Sequence, residues 1–258
     1  MSAAPVLDLE SVTVRFGGVV AVNDVTISVP EGIVFGLIGP NGAGKTTLFN
    51  TISGFARSSG DGRILFNGQN IRGLSVDKVA KLGIGRTFQN IALLRERTVR
   101  DNLLLGLHLA LTYHPLATLL PSRRIARAEA EAMRQIEEVA DMLHIARTVL
   151  DATVDTLSVG QQKRVEVARA VLRKPTLLLL DEPAGGLNDR ETVDLKVSLE
   201  TLRKRSPFSV VLVDHDMNLV MDLCERIAVL DRGSLVAEGA PDDIRRNDAV
   251  IKAYLGHG

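Results

Sequence analysis

Among its 258 residues the chain has no tryptophan, two tyrosines, seven phenylalanines and one cysteine. The lone Cys224 excludes an internal disulfide and a thiolate-rich metal site, a pattern typical of a reducing compartment. So few rings make a stacking platform for single-stranded nucleic acid unexpected. Excess charge of either sign is also missing, because 31 Lys and Arg balance 31 Asp and Glu. Binding to a phosphate backbone needs a clear positive excess, so nucleic acid is not expected as a partner. Long hydrophobic runs are lacking too. The most apolar stretch, Leu103 to Leu120, is broken by Gly106, His108, Thr112, Tyr113, His114 and Pro115, whereas a spanning helix needs about 20 mostly apolar residues. The opening MSAAPVLDLE has no basic region followed by an apolar stretch, so no signal peptide is expected. A soluble cytoplasmic protein, able to sit on a membrane protein, is the resulting expectation.

Apolar residues make up 45% and charged residues 24% of the chain, enough to bury a sizeable core. Val12, Val14 and Phe16 alternate with polar neighbours, as do Val25, Ile27 and Val29, and both runs predict half-buried strands. Val34–Ile38 and Ile64–Phe66 predict two further strands, the second followed by an Asn67-Gly68 turn. The middle of the chain predicts helices over Thr98–Leu111 and Ser122–His144. In the second, Ile125, Ala128, Ala132, Ile136, Val139 and Leu143 recur at helical steps. Leu177–Leu180 and Ser209–Val213 read as buried parallel strands. Helices over Arg190–Lys204 and Asp216–Cys224 and closing strands over Arg226–Leu230 and Leu235–Glu238 complete the pattern. The expectation is one interrupted α/β unit, a core of 1–92 and 166–258 with a helical subdomain, 93–165, inserted.

Three motifs carry chemistry. Gly39-Pro40-Asn41-Gly42-Ala43-Gly44-Lys45-Thr46 has the spacing of a phosphate-binding loop, preceded by a strand and followed by Leu48, Ile52 and Phe55 at helical steps. Its glycines let backbone N–H groups wrap phosphates at a helix N-terminus. Lys45 is placed to reach the β- and γ-phosphates and the Thr46 hydroxyl to hold Mg²⁺, with Thr47 next in line. Leu177-Leu178-Leu179-Leu180-Asp181-Glu182 is an apolar strand that delivers carboxylates to its C-terminal edge. Asp181 suits Mg²⁺ there, and Glu182 suits the orientation and deprotonation of water. Leu157-Ser158-Val159-Gly160-Gln161-Gln162-Lys163-Arg164 is, on its residues alone, a capped start for a helix over Val165–Leu172, with Ser158 and Gln161 as a capping box.

Together these motifs resemble the ATP-binding subunit of an ABC transporter, over nearly the whole chain. The resemblance implies a P-loop NTPase fold with a RecA-like core, an antiparallel β subdomain and an inserted α-helical subdomain. It implies ATP and Mg²⁺ as ligands, and a dimer in which Ser158, Gly160 and Gln161 of one subunit close over the nucleotide of the other. Val159 replaces the first glycine of that signature. The resemblance also places Gln89 against Mg²⁺ and the attacking water, His215 against the γ-phosphate and Phe16 against adenine. Gly186-Leu187-Asn188 matches a loop at the dimer interface, with Asn188 where Asp is common.

On their own residues, Phe16 reads as core, His215 as structural, and His108, His114, His144 and His257 as packing or solvent residues. Arg123, Arg124 and Arg127 read as a solvated helix face paired with Glu129 and Glu131.

Within the family, the chain is similar to ATPases of branched-chain (hydrophobic) amino acid importers. The similarity lies in Gly160–Arg169, in Asp181–Asn188 and in the run from His215 to Gly256. That implies integral-membrane permease subunits, a second ATP-binding subunit (a copy of this chain or a different one) and, indirectly, a substrate-binding protein, with the chain on the cytoplasmic face of the membrane. Urea and amide importers share the pattern, and lipopolysaccharide-export ATPases share the closing Tyr254-Leu255-Gly256. A soluble ABC ATPase usually has paired domains or a coiled coil, and a GTPase needs Asn-Lys-x-Asp. This chain has none of these.

Overall fold

A computed structural model describes residues 5–89, 91–108 and 123–255. The chain divides into two compact units.

The first unit comprises Met1–Arg86, Thr176–Gly185 and Pro207–Gly258. Its first two strands, β1 (Pro5–Phe16) and β2 (Val19–Pro30), form an antiparallel hairpin in which the alternating valines and isoleucines point inward. β4 (Arg63–Phe66) pairs with β1, and the Asn67-Gly68 turn, both residues at positive φ, returns it into the short β5 (Gln69–Asn70). The sheet order is β2-β1-β4-β5.

A second, six-stranded sheet contains β3 (Val34–Ile38), β6 (Ile84–Arg86), β7 (Leu177–Asp181), β8 (Ser209–Val213), β9 (Arg226–Asp231) and β10 (Ser234–Gly239). Its order is β10-β9-β3-β8-β7-β6, parallel except for β10. β3, β7 and β8 are buried at every residue, which explains their unbroken apolar runs. The core between the sheets is built on Val12, Val14, Ile27, Phe35, Leu37, Leu48, Phe49 and Leu179. The helices of this unit are α1 (Lys45–Ile52), α2 (Val76–Lys81), α7 (Met217–Leu223), α8 (Pro241–Arg245) and α9 (Asp248–Leu255).

The second unit comprises Thr87–Pro175 and Gly186–Ser206. It holds α3 (Val99–His108), α4 (Arg123–Met142), α5 (Val159–Val171) and α6 (Asp189–Arg205). α6 belongs with these helices because Arg164 pairs with Asp194 at 3.2 Å and Gly160 lies directly against Glu191. An expected boundary at 165/166 therefore falls inside α5, which begins at Val159 rather than Val165.

One further expectation needs correction, and some elements have no signal in the sequence pattern. Phe55 lies past the end of α1, exposed, with the Arg86 guanidinium 5.7 Å from its ring centre. Glu131 pairs with Arg134, three residues on, and the side chains of Arg123 and Arg124 lie outside the described residues. β6 is a strand of three residues, too short to show alternation. α2, α8 and α9 also went unread. The expected extension of α3 to Leu111, the apolar stretch beyond residue 108, and His114 and His257 lie outside the described residues.

Candidate active site

In an open parallel sheet, ligands meet the carboxyl ends of the strands where the order reverses direction. Here β3 lies between β8 and β9, and β3, β8, β7 and β6 are successive neighbours. Their carboxyl ends carry, in that order, Gly39, then Asp214 and His215, then Asp181 and Glu182, then Arg86. The sheet order thus assembles residues far apart in sequence.

The phosphate-loop residues follow β3 directly. Gly39 has φ 148°, and a Cβ there would lie 2.0 Å from the Leu230 carbonyl oxygen. Gly44 has φ 100°, and a Cβ there would lie 2.5 Å from the Ala21 carbonyl oxygen. Both positions exclude any side chain. Gly42, at φ 77°, faces open space. The Ala43 N–H donates to the Pro40 carbonyl at 3.2 Å, and the Gly233 N–H donates to the Ala43 carbonyl at 3.1 Å. The loop is therefore tied both to itself and to the β9–β10 turn. Asn41 and Thr46 are exposed and Thr47 is half-buried.

Lys45 is buried, and its Nζ donates to the Gly39 and Pro40 carbonyls at 2.6 and 2.9 Å. Burial pulls its ammonium below the usual lysine range, opposed by the fields of Glu182 and Asp181. A buried cation held by neutral carbonyls at the start of a helix is a fit for an anionic group such as a phosphate.

Asp181 and Glu182 leave β7 in different environments. Asp181 is almost fully buried, and its Oδ2 accepts from Arg86 Nη2 at 3.0 Å. Burial raises its carboxyl above the usual aspartate range, and the Arg86 hydrogen bond and charge oppose that rise. Arg86 is shifted down by the same burial. Its Nη1 donates to Asn50 Oδ1 and Ser53 Oγ at 2.8 and 2.7 Å, so it links α1 to the end of β7.

Glu182 has φ 51°, a left-handed conformation uncommon for a branched-off side chain of this size. Its N–H donates to the Val213 carbonyl at 2.7 Å, and its Oε1 lies 3.0 Å from His215 Nε2. Asp214 fixes this corner. Its buried carboxylate accepts from the Ala184 N–H at 2.9 Å and from the Asp216 N–H at 3.0 Å. Strain at Glu182 is thus held by its own backbone bond to Val213 and by the Asp214 carboxylate on the Ala184 N–H.

Phe16 ends β1 with its ring 55% exposed, so the reading of it as core is corrected. It borders the Gly17-Gly18 turn, where an aromatic face stays open to a planar ligand.

The remaining candidates belong to the second unit. Gln89 is exposed. Ser158 caps α5: its Oγ accepts from the Gln161 N–H at 3.3 Å, and Gln161 Oε1 accepts from the Ser158 N–H at 3.0 Å. Gly160 is buried, and a Cβ there would lie 2.7 Å from Glu191 Oε1. That contact accounts for glycine at 160. Val159 is exposed, so the position where it replaces glycine needs no such closeness. Asn188 caps α6 in a second box with Glu191.

Arg86, Asp214 and Glu166 were missed from the sequence. The available signals were a charged residue closing an apolar strand, and a carboxylate among the apolar residues of α5.

Among the described residues no group of three or more His, Cys, Asp and Glu gathers as a metal site. A cation here would have one buried carboxylate, Asp181, and the Thr46 hydroxyl from this unit. That sparse set suits Mg²⁺, which keeps waters and takes other ligands from substrate phosphates.

Residues 22–185 match the profile of the ABC transporter family, and residues 234–258 match that of the branched-chain amino acid ATP-binding cassette transporters. The branched-chain amino acid transport ATP-binding protein BraF of Pseudomonas aeruginosa is 43% identical over 98% of both chains. LivG of Escherichia coli K12, of the same description, is 40% identical over 98% of both. The lipopolysaccharide export ATP-binding protein LptB of Haemophilus influenzae is 32% identical over 97% of both. The ADP conformation of MJ1267, an ATP-binding cassette of an ABC transporter, superposes with a TM-score of 0.82 at 29% identity. That superposition covers 98% of this chain and 100% of the other. A dimeric structure of the cassette MJ0796 bound to ADP and phosphate gives 0.75 at 26% identity, covering 91% and 98%. By profile, by identity along almost its full length and by fold, this chain belongs to the ABC transporter family of ATP-binding cassettes.

Proposed function

We propose that this chain is the ATP-hydrolysing subunit of an importer for branched-chain or other hydrophobic amino acids, or related small amides. It would dock on integral-membrane permease subunits at the cytoplasmic face of the membrane. It would pair with a second ATP-binding subunit and be served indirectly by a substrate-binding protein. The carrying observation is the Glu182–His215 pair, 3.0 Å apart on neighbouring strand ends beside the Lys45 loop. Among the described residues no helix is long and apolar enough to cross a membrane, which fits a subunit that relies on others for the span.

In this reading the backbone of 39–47 and Lys45 cradle the phosphates, and Lys45 exchanges its carbonyl partners for phosphate oxygens. Thr46, Asp181 and Gln89 would hold Mg²⁺, which when bound neutralises charge on the β- and γ-phosphates. Glu182 takes a proton from water as the water oxygen bonds to the γ-phosphorus and the bond from that phosphorus to the β–γ bridging oxygen breaks. The products are ADP and phosphate. The His215 ring, whose Nε2 lies 3.0 Å from Glu182 Oε1, contacts the γ-phosphate. Phe16 stacks on adenine, and Ser158, Gly160 and Gln161 close the site of the partner subunit. Catalysis is then mostly positioning and electrostatics. The lipopolysaccharide-export alternative is less well supported, because the match at 234–258 is to the branched-chain group.

The test is a pull-down of tagged Glu182→Gln from native membranes with ATP and Mg²⁺. The variant should retain ATP, lose nearly all turnover, and bring down polytopic permeases with a second ATPase. Recovery of soluble proteins alone would sink the transporter reading, and turnover within a few-fold of wild type would remove Glu182 as the base.

A further inference from the structure

Glu166 is among the most buried carboxylates of the chain, at 3% exposure, on the face of α5 between Val165 and Val167. A carboxylate in such a place needs a reason, since an apolar residue would be buried there at no desolvation cost. Its partners supply one. Oε1 accepts from the Phe88 N–H at 3.2 Å and from the Ala92 N–H at 3.3 Å. One turn further along α5, Arg169 Nη1 donates to the Ala92 carbonyl at 2.8 Å. Two side chains of one helix face thus grip the backbone on both sides of Gln89, whose own side chain is exposed. Two backbone donors converging on a single oxygen fix the spacing between residues 88 and 92, on either side of Gln89.

We infer that Glu166 and Arg169 are positioning residues for Gln89, clamping the backbone at Phe88 and at Ala92 to the helix that begins at Ser158, so that these points and the helix shift together. The inference rests on the proposed role of Gln89 in hydrolysis. The clamp carries displacement of the Ser158 helix toward Gln89 through hydrogen bonds to the backbone of Phe88 and Ala92. What it requires of residue 166 is an acceptor oxygen at that reach, not a charge. Gln meets this requirement and Ala does not.

The experiment compares wild type, Glu166→Ala and Glu166→Gln as purified full-length chains. Backbone amide exchange in the 88–92 peptide should accelerate about tenfold or more in the Ala variant, the equivalent of at least one net hydrogen bond, and stay near wild type in the Gln variant. Steady-state ATP hydrolysis should lose about tenfold or more in kcat with little change in KM for Ala, because a misplaced group costs rate rather than binding. Gln should restore most of it. Arg169→Met, which removes the Ala92 carbonyl contact and the positive charge near Glu166 but keeps the Glu166 acceptor, should show the same two effects more weakly and covers the case in which Glu166→Ala does not fold.

Unchanged exchange in Glu166→Ala, unchanged kcat despite faster exchange, or a Gln variant as impaired as Ala would each overturn the clamp. A wild-type chain that hydrolyses no ATP would instead count against the proposed function, and the exchange result would still report on the clamp.

Discussion

Arg86 and Asp181 form a buried ion pair whose side chains are only 6% and 2% exposed. Burial outweighs their attraction, since the carboxyl is pushed up and the guanidinium down. Removing one partner of such a pair costs about 3–5 kcal/mol, because a charge is left buried without its counter-ion. Arg86→Met should therefore lower unfolding free energy by about that much in urea titration. The pH dependence follows in sign. A carboxylate whose folded pKa lies above its unfolded value destabilises the fold once pH rises past the unfolded value, about 3.9 for aspartate. Without Arg86 the folded value rises further, so the deficit of the variant should widen from acid to neutral pH and shrink again in acid. A deficit independent of pH would show that Arg86 acts through Asn50, Ser53 and the Phe49 and Phe55 rings rather than through Asp181. The sequence could not reveal this pair, because its partners are 95 residues apart. Lys45, Thr46, Asp181 and Glu182 could be read as candidates from sequence, because their spacing belongs to one local loop and one strand end.

The phosphate loop is the element whose sequence and backbone correspond most directly, and its glycines differ in what they demand. At Gly39 a Cβ would stand 2.0 Å from a backbone oxygen of β9, while Gly42 faces open space. Gly42→Ala should cost about 1–2 kcal/mol, the penalty of a left-handed L-residue. Gly39→Ala combines backbone strain with a clash no rotamer relieves, and should cost about 3 kcal/mol or more. Urea denaturation of the two variants reads the difference directly, and equal losses would mean that the Gly39 backbone can move away from β9. Elements were legible where burial is one-sided or complete, as in β1, β2, β3, β7 and β8. They were not where the element is short: β6 has three residues and α2 has six, and neither length lets a period declare itself. For α8 a signal was present in Pro241 at the first helical position.

At the scale of the whole chain, the groups proposed for one reaction are divided between two compact units. Lys45, Asp181, Glu182 and His215 lie in one, Ser158 and Gly160 in the other. If the Ser158 helix serves the nucleotide of a partner subunit, the two sets need not be intact in the same molecule. Lys45→Met removes the phosphate cation, while Ser158→Ala removes a helix cap at a cost of about 1 kcal/mol, small enough to leave the chain folded. In a dimer of one variant with the other, one site keeps Lys45 from the second chain and Ser158 from the first, while the other site loses both. Mixing the two purified variants, each nearly inactive alone, should therefore restore ATP hydrolysis toward a quarter of the wild-type rate, since about half of randomly formed dimers are mixed and each holds one intact site of two. Restoration requires exchange between chains, so it should rise with protein concentration and be absent when either variant is diluted alone. A mixture no more active than its components would mean either that Lys45 and Ser158 act within one chain, or that the second site is completed by a different ATP-binding subunit. Adding the second ATPase recovered with the Glu182→Gln complex separates the two cases, because only a heterologous partner would then rescue the Ser158→Ala chain.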